Sequence, residues 1–290
     1  MADIATPDTD RPAPAAREVV YRHRVITRVT HWVNALCFTL LLMSGLQILN
    51  AHPALYWGQF GADDDTAFIE FFAARPDGRD GELAGFTRVG PVTIETTGLF
   101  GVSRGGDGDV RVIAMPGWAT IPSSRDLATG RRWHFFFAWL FVINGLVFVA
   151  GSLINGHLRR DLLPERRELR PRHILRDLGN HLRLRLPRGE DAKRYNVLQK
   201  GAYLGVGLLL VLMVLTGLTM SPGMNASMPW MLDLFGGRQS ARTIHFLAAT
   251  GTVAFVILHL AMVLLAGPIN EIRSMITGRF TIPPEKTHDQ

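Results

Sequence analysis

The chain has 290 residues, of which 47% are hydrophobic and 19% are charged, and its formal net charge is +6. Its single cysteine, Cys37, excludes a disulfide framework and any cysteine-based zinc or iron–sulfur site. The positive charge does not indicate nucleic acid, because it is concentrated in one connection between apolar runs, where membrane topology explains it.

Four apolar runs, each about 20 residues long, have the length that is needed to cross the hydrocarbon core of a bilayer. They cover residues 31–50, 133–155, 201–220 and 243–267. The sequence therefore predicts an all-α membrane protein, a four-helix transmembrane bundle within residues 21–267. Residues 1–20 lack an apolar signal core, which predicts a disordered cytoplasmic tail. Residues 268–290 predict a cytoplasmic tail with a short amphipathic helix.

The charges of the connections predict the orientation. Residues 156–200 hold thirteen Lys or Arg and six Asp or Glu, whereas residues 51–130 hold six and eleven. The positive-inside rule places the first connection in the cytoplasm and the second in the periplasm. Both termini are then cytoplasmic, and the expected location is a bacterial inner membrane. Leu and Ile recur between arginines in the basic connection, as in a helix that lies on anionic membrane lipid.

The outer loop between spans one and two is unusually long, and two interpretations stay open: a small folded cap or a mobile insertion. The stretch DDDTAFIEFF, residues 63–72, predicts a short helix after an aspartate cap. Residues 90–100 and 110–115 predict two strands, separated by a turn-rich segment.

Histidines within the spans are candidate functional residues, because ionisable side chains inside a membrane are rare and usually functional. His245 and His259 lie fourteen residues apart in span four. This spacing is close to four helical turns, so both rings point roughly the same way, about 21 Å apart along the axis. His31 lies at the inner edge of span one, and His134 at the outer edge of span two.

Depth sorts these histidines into an inner pair, His31 with His259, and an outer pair, His134 with His245. Two imidazoles on facing helices can hold a low-spin haem iron, which transfers electrons and binds no substrate. The four histidines are therefore predicted to be the axial ligands of two haem b groups. The alternative for each is a structural histidine. His52 is a rival outer ligand, but the proline that follows it indicates a helix end.

Other residues at these depths have two interpretations each. Three glycines either serve helix packing or make room for a porphyrin ring: Gly45, Gly145 and Gly217. Four arginines either pair with haem propionates or are snorkelling charges at span ends: Arg28, Arg131, Arg132 and Arg242.

The pattern of His31-Trp32, a histidine opening span two, and two histidines fourteen apart in span four resembles the bacterial di-haem cytochrome b family. The family includes membrane subunits of formate dehydrogenases, nickel–iron hydrogenases and thiosulfate reductases, and the resemblance covers the four spans. It implies an electron-transfer subunit, more than a stand-alone enzyme, that connects a periplasmic redox protein with membrane quinone. The direction of transfer depends on potentials that hydrogen bonds and burial set around each haem.

The segment RYNVLQK, residues 194–200, resembles the approach to the third span in formate dehydrogenase subunits. This resemblance implies that Asn196 and Gln199 contact quinone beside His259. Their alternative interpretation is a helix-capping asparagine and a surface glutamine.

Residues 130–139 and 265–280 are most similar to cytochromes b of the thiosulfate reductase type, which implies a molybdopterin oxidoreductase as partner. The 80-residue outer loop departs from the minimal family pattern. Two alternatives therefore remain at this point. One is a self-contained quinone-linked oxidoreductase such as a superoxide oxidase, and the other is a haem-free membrane anchor or transporter.

Overall fold

A computed structural model describes most of the chain. The described residues are 18–61, 65–76, 81–104, 108–156, 163, 165, 167–183 and 196–282. Most of the predicted disordered tail, residues 1–17, and part of the basic connection, including residues 184–195, lie outside this part of the chain.

Four long helices are apolar enough to cross a membrane, which confirms the predicted bundle. They are α1 (Val25–Leu49), α2 (Leu127–Ile154), α4 (Val197–Thr219) and α7 (Arg238–Ala266). Each helix begins four to six residues before its predicted span. The reason is that hydropathy marks only the apolar part of a helix, while a more polar first turn extends beyond it.

The four helices pack as two pairs, α1 on α2 and α4 on α7. In the first pair, Gly151 lets α2 approach α1, because a Cβ there would lie 2.3 Å from Cδ1 of Ile26. The buried amide of Asn144 donates to the carbonyl of Thr30 at 2.9 Å and to Oδ1 of Asn34 at 2.7 Å. Small residues and polar contacts of this kind hold helices together in a membrane, where the hydrophobic effect contributes little.

The connection between α1 and α2 folds into strands. Of the two interpretations left open by the sequence, the structure therefore shows the small folded cap. A four-stranded antiparallel sheet has the order β2 (Ala54–Leu55), β3 (Ile69–Ala74), β4 (Ala84–Val89) and β5 (Val92–Glu95). A second antiparallel pair consists of β6 (Val102–Arg104) and β7 (Val110–Val112). We call the described residues of 51–126 the sheet domain.

The predicted short helix over residues 63–72 is wrong, because Ile69 to Phe72 belong to β3. Ile69 and Phe71 are buried and the residues between and after them are less so, which is the two-residue period of a strand. The aspartate signal for a helix start was overridden by this alternation. The strands β5 and β7 fall within the two predicted strand segments, whereas β4 was not predicted.

The sheet domain packs on α1 and α7 together and so joins the two helix pairs. The shared core contains Leu49, Leu55, Ile69, Phe71 and Met115, with Phe246 of α7 packed against it. The Arg242 guanidinium donates to the carbonyl of Ala54 at 2.8 Å, and the Thr243 hydroxyl donates to that of Tyr56 at 2.6 Å. We call this end of the bundle the sheet end.

The opposite end of the bundle carries a pair of strands from the two ends of the described chain. Strand β1 (Val19–Tyr21) pairs antiparallel with β8 (Arg279–Thr281), which follows α8 (Pro268–Thr277). Val19 and Val20, predicted to be disordered, are therefore strand residues, because β-branched side chains favour a strand once a partner is available. We call this the β1–β8 end.

At the β1–β8 end, side chains of α1 bind the backbone of α8. The Trp32 indole Nε1 donates to the carbonyl of Met275 at 3.2 Å, and Arg28 donates to that of Ile276 at 2.5 Å. The two helix pairs are thus held together at both ends of the bundle.

Three further short α-helices lie in the described part of the chain. They are α3 (Pro171–Leu182), α5 (Pro222–Ser227) and α6 (Trp230–Leu234). α3 lies in the basic connection, where the sequence predicts a helix on the membrane surface. α5 and α6 fill the connection between α4 and α7 at the sheet end.

Asn50 is expected to be important for the attachment of the sheet domain. Its buried side chain accepts from the Met115 amide at 2.7 Å and donates to Oε1 of Gln47 at 3.2 Å. N50A would leave these buried groups unpaired, at about 1–3 kcal/mol each. We expect a lower Tm of the purified protein in detergent than for T39A, a change at an exposed position of the same helix. Equal Tm values would contradict the assigned role.

Candidate functional site

The structure brings the four predicted histidines together in the two predicted pairs. His31 of α1 faces His259 of α7, with 6.3 Å between ring centroids and 66° between ring planes. His134 of α2 faces His245 of α7, again with 6.3 Å between centroids, at 61°. The first pair lies towards the β1–β8 end and the second towards the sheet end.

The spacing of both pairs fits one metal ion between two imidazoles. A bond from a metal to an imidazole nitrogen is about 2.0 Å long, and that nitrogen lies about 1.1 Å from the ring centre. Two rings in line on one ion therefore have centres about 6.2 Å apart, close to the distance in both pairs. The residues present thus fit the axial ligands of a haem iron at each pair.

Glycines leave room beside the histidines of the sheet end. A Cβ on Gly45 of α1 would lie 3.3 Å from Cε1 of His134, and one on Gly217 of α4 would lie 3.5 Å from Cε1 of His245. No atom lies within 4 Å of a Cβ placed on Gly145. Two of the three glycines noted in the sequence therefore border a candidate ligand.

Hydroxyl groups that the sequence interpretation missed contact the same two rings. Oγ of Ser44 lies 3.1 Å from Nδ1 of His134, and Oγ1 of Thr216 lies 2.9 Å from Nδ1 of His245. A signal does exist in the sequence, because both hydroxyl residues directly precede the glycines at these rings. Ser44-Gly45 and Thr216-Gly217 are the same kind of dipeptide in two different spans.

The pair at the β1–β8 end has a different environment, made of aromatic rings. Phe255 stacks on His259 with 5.9 Å between ring centroids and 10° between ring planes. Trp32 meets His31 edge to face, with 5.5 Å between centroids. The two candidate sites thus share their spacing but differ in the groups behind the ligands.

His52, the rival ligand, lies beyond the end of α1 and stacks on Tyr56, with 5.8 Å between ring centroids. The imidazole that faces His245 is that of His134.

Of the four arginines noted in the sequence, two contact backbone carbonyls and two are exposed. Arg28 and Arg242 donate to backbone carbonyls of α8 and the sheet domain, as described above. Arg131 and Arg132 are exposed at the start of α2, where Arg131 lies over the ring of Phe135. Their pairing with propionates stays a prediction.

Asn196 and Gln199 form a capping box at the start of α4. The amide of Gln199 donates to Oδ1 of Asn196 at 2.8 Å, and the amide of Asn196 donates to Oε1 of Gln199 at 3.1 Å. The next residue, Lys200, is buried and binds Glu168 at 2.8 Å. Burial alone would raise the pKa of Glu168, but the hydrogen bond from Lys200 and its charge outweigh burial and lower it. The capping box confirms the capping interpretation of Asn196 and Gln199. Contact of these two residues with quinone stays a prediction.

The paired histidines and four spans agree with a comparison against known protein families. The family profile of prokaryotic cytochrome b561 matches residues 22–278, which is most of the chain. The chain belongs to this family. It is thus a b561-type membrane haem protein of electron transfer, and members of the family bind haem b.

One curated relative gives the cytochrome a more specific context. A putative protein-methionine-sulfoxide reductase subunit, YedZ1 of Azospira oryzae, is 27% identical over 250 residues. The match covers 86% of this chain and 93% of the relative. The similarity therefore extends beyond the four spans to nearly the whole length of both proteins.

Gly45 offers a test of the site at the sheet end. G45V would push methyl groups into the ring of His134, so the variant should bind less haem than the wild type. The haem content per chain can be measured from the pyridine haemochrome spectrum. G205V on α4 is the matched control, since Gly205 is exposed and a Cβ there meets no atom within 4 Å. Equal haem contents in G45V and G205V would contradict a haem at His134.

Proposed function

We propose that this cytochrome binds two haem b groups and relays electrons across a bacterial inner membrane. The axial ligands would be His31 with His259 and His134 with His245. The observation that carries this proposal is the centroid distance of 6.3 Å in both pairs, which suits one iron between two imidazoles.

Helix α7 is the element that both proposed sites share. It contributes one ligand to each, and fourteen residues between them correspond to about 21 Å along the axis. When bound, an iron with two imidazole ligands supplies one-electron transfer and keeps no position open for a substrate. The protein then serves as a conductor between two membrane faces and leaves the substrate chemistry to other sites.

We propose that the β1–β8 end faces the cytoplasm and the sheet end faces the periplasm. The basic connection 156–200 joins α2 to α4 at the first of these ends, and the acidic connection 51–130 forms the sheet domain at the other. The positive-inside rule supports this orientation, with both termini in the cytoplasm.

Quinone is the proposed exchange partner at the cytoplasmic side. The side-chain oxygens of Asn196 and Gln199 serve the capping box, while their amide nitrogens are hydrogen-bond donors of the kind that binds a quinone carbonyl. Both residues lie at the first turn of α4, where a span emerges from the membrane. A quinol that is oxidised there gives up two electrons and two protons, and the reverse reaction takes them up.

A periplasmic redox protein is the proposed partner at the sheet end. The relative from Azospira oryzae is named as a reductase subunit, which supports an oxidoreductase as partner. The molybdopterin class of this partner is part of the proposal. Residues 51–130 hold eleven acidic and six basic residues, so a complementary partner surface is basic. The residues of β5 are all exposed at the edge of the sheet, which leaves that strand accessible.

Removal of single ligands tests the haem assignment. The reduced wild-type protein should show a b-type spectrum with two haems per chain. H245A should lose the haem of the sheet end and H259A the other, because each iron keeps only one ligand. H173A is the control, since His173 lies on α3 and pairs with Asp177 at 3.6 Å. A variant H245A that keeps both haems, or a wild type without a Soret band, would refute the proposal.

Matched variants separate a quinone contact from helix capping. N196S and Q199E keep side-chain oxygens that suit a capping box, but both remove an amide donor. We expect electron exchange with a soluble quinol analogue to slow about three- to tenfold, the usual value of one hydrogen bond. Haem content should stay unchanged, and N225S on α5 should behave as the wild type. Wild-type rates in N196S and Q199E would exclude these amides from the quinone site.

A further inference from the structure

The hydroxyls of Ser44 and Thr216 contact the two histidines of the sheet end, and the function proposed above assigns them no role. We propose that they are positioning residues that fix the proton on Nδ1 of His134 and His245. Each ring then presents Nε2 to the iron, and its donor strength is increased. The inference rests on the proposed ligand assignment and adds a control of the reduction potential of one site.

The proton position follows from counting donors and acceptors at Thr216. A hydroxyl has one proton to donate and lone pairs to accept with. The Thr216 hydroxyl donates to the carbonyl of Leu212 at 2.7 Å, one turn earlier in α4. With its proton in this bond, the hydroxyl oxygen accepts from Nδ1 of His245, 2.9 Å away. The proton of that contact then lies on Nδ1, and Nε2 keeps the free lone pair.

The same arrangement recurs at Ser44, on a different helix. Its hydroxyl donates to the carbonyl of Leu40 at 2.5 Å, and its oxygen lies 3.1 Å from Nδ1 of His134. Both hydroxyl residues are 0% exposed, so bulk water does not compete for either contact. His134 of α2 is thus oriented by a residue of α1, and His245 of α7 by a residue of α4. In both cases the two helices pack directly on each other.

The adjacent glycines belong to the same arrangement. Gly45 and Gly217 place no side chain against the imidazole edge at Cε1, the carbon between the two ring nitrogens. The hydroxyl can therefore reach Nδ1 while the ring edge at Cε1 stays unobstructed. In both spans the hydroxyl residue holds the ring and the glycine after it admits the ring.

The hydroxyls distinguish the two haem sites. Hydrogen-bond acceptors behind a ligating histidine make it more basic. A more basic ligand stabilises the oxidised iron more than the reduced iron, so the potential falls. The rings of His31 and His259 contact Trp32 and Phe255 instead. The hydroxyl contacts therefore lower the potential of the site at the sheet end and leave the other unaffected.

The matched pair T216V and T219V tests this inference. Thr219 lies on the same helix, is also 0% exposed, and its hydroxyl donates to the carbonyl of Leu215 at 2.9 Å. Of these two threonines, Thr216 is the one that also contacts a histidine. In a potentiometric titration of the full-length protein, T216V should raise one midpoint potential. A rise of about 59 mV in that midpoint corresponds to a tenfold change in the ratio of oxidised to reduced haem, because one electron is transferred.

Two further measurements separate a chemical effect from a packing effect. The electron paramagnetic resonance g-values of the affected ferric haem should change in T216V, because they respond to the donor strength of the ligands. T216S keeps the hydroxyl and should retain the wild-type potential and g-values. S44A should raise the same midpoint potential as T216V, and the other midpoint should stay constant in every variant.

Each outcome decides for or against the inference. Loss of one haem in T216V, with both haems kept in T216S and T219V, supports the positioning role. Unchanged potentials and g-values in T216V overturn it, as does an equal shift in T219V or haem loss in T216S. If the wild type holds two haems and H245A loses one, the ligand assignment stands and such results refute the hydroxyl role alone.

Discussion

One constraint governs the rest of the structure: helix α7 must face the pair formed by α1 and α2. One face of this helix carries His245 and His259, and each must meet a ring from a different helix, α2 and α1 respectively. Direct helix packing would close the space between the rings. The structure avoids this because α1 packs on α2 and α4 packs on α7, and the two pairs are joined at the ends of the bundle.

The ends of the bundle are therefore where the two pairs are held together. At one end the sheet domain bonds to both pairs, through Asn50 at the end of α1 and through Arg242 of α7. At the other end the indole of Trp32 reaches the backbone of α8. The sheet domain thus braces the bundle and also adds a surface to it.

The sequence predicted the bundle and the pairing of histidines because both depend on position along a helix. Hydropathy gives the spans, loop charge gives their direction, and depth then sorts His31, His134, His245 and His259. The hydroxyl contact of Thr216 could not be predicted in this way, because it depends on which helix packs beside α7. The helix expected over residues 63–72 failed for a related reason: a local cap signal competed with a strand pattern whose partner, β4, lies elsewhere in the chain.

Strand β8 has a consequence for the order in which the molecule is built. Its pairing partner, β1, lies near the other end of the chain, with Val19 opposite Thr281. A ribosome makes Thr281 only after all four spans, so this contact cannot form until synthesis has passed the last of them. Until then, the backbone contacts of Trp32 and Arg28 with α8 can hold this end of the bundle, because α8 precedes β8. The pairing of the last strand thus secures an end that earlier parts of the chain have already brought together.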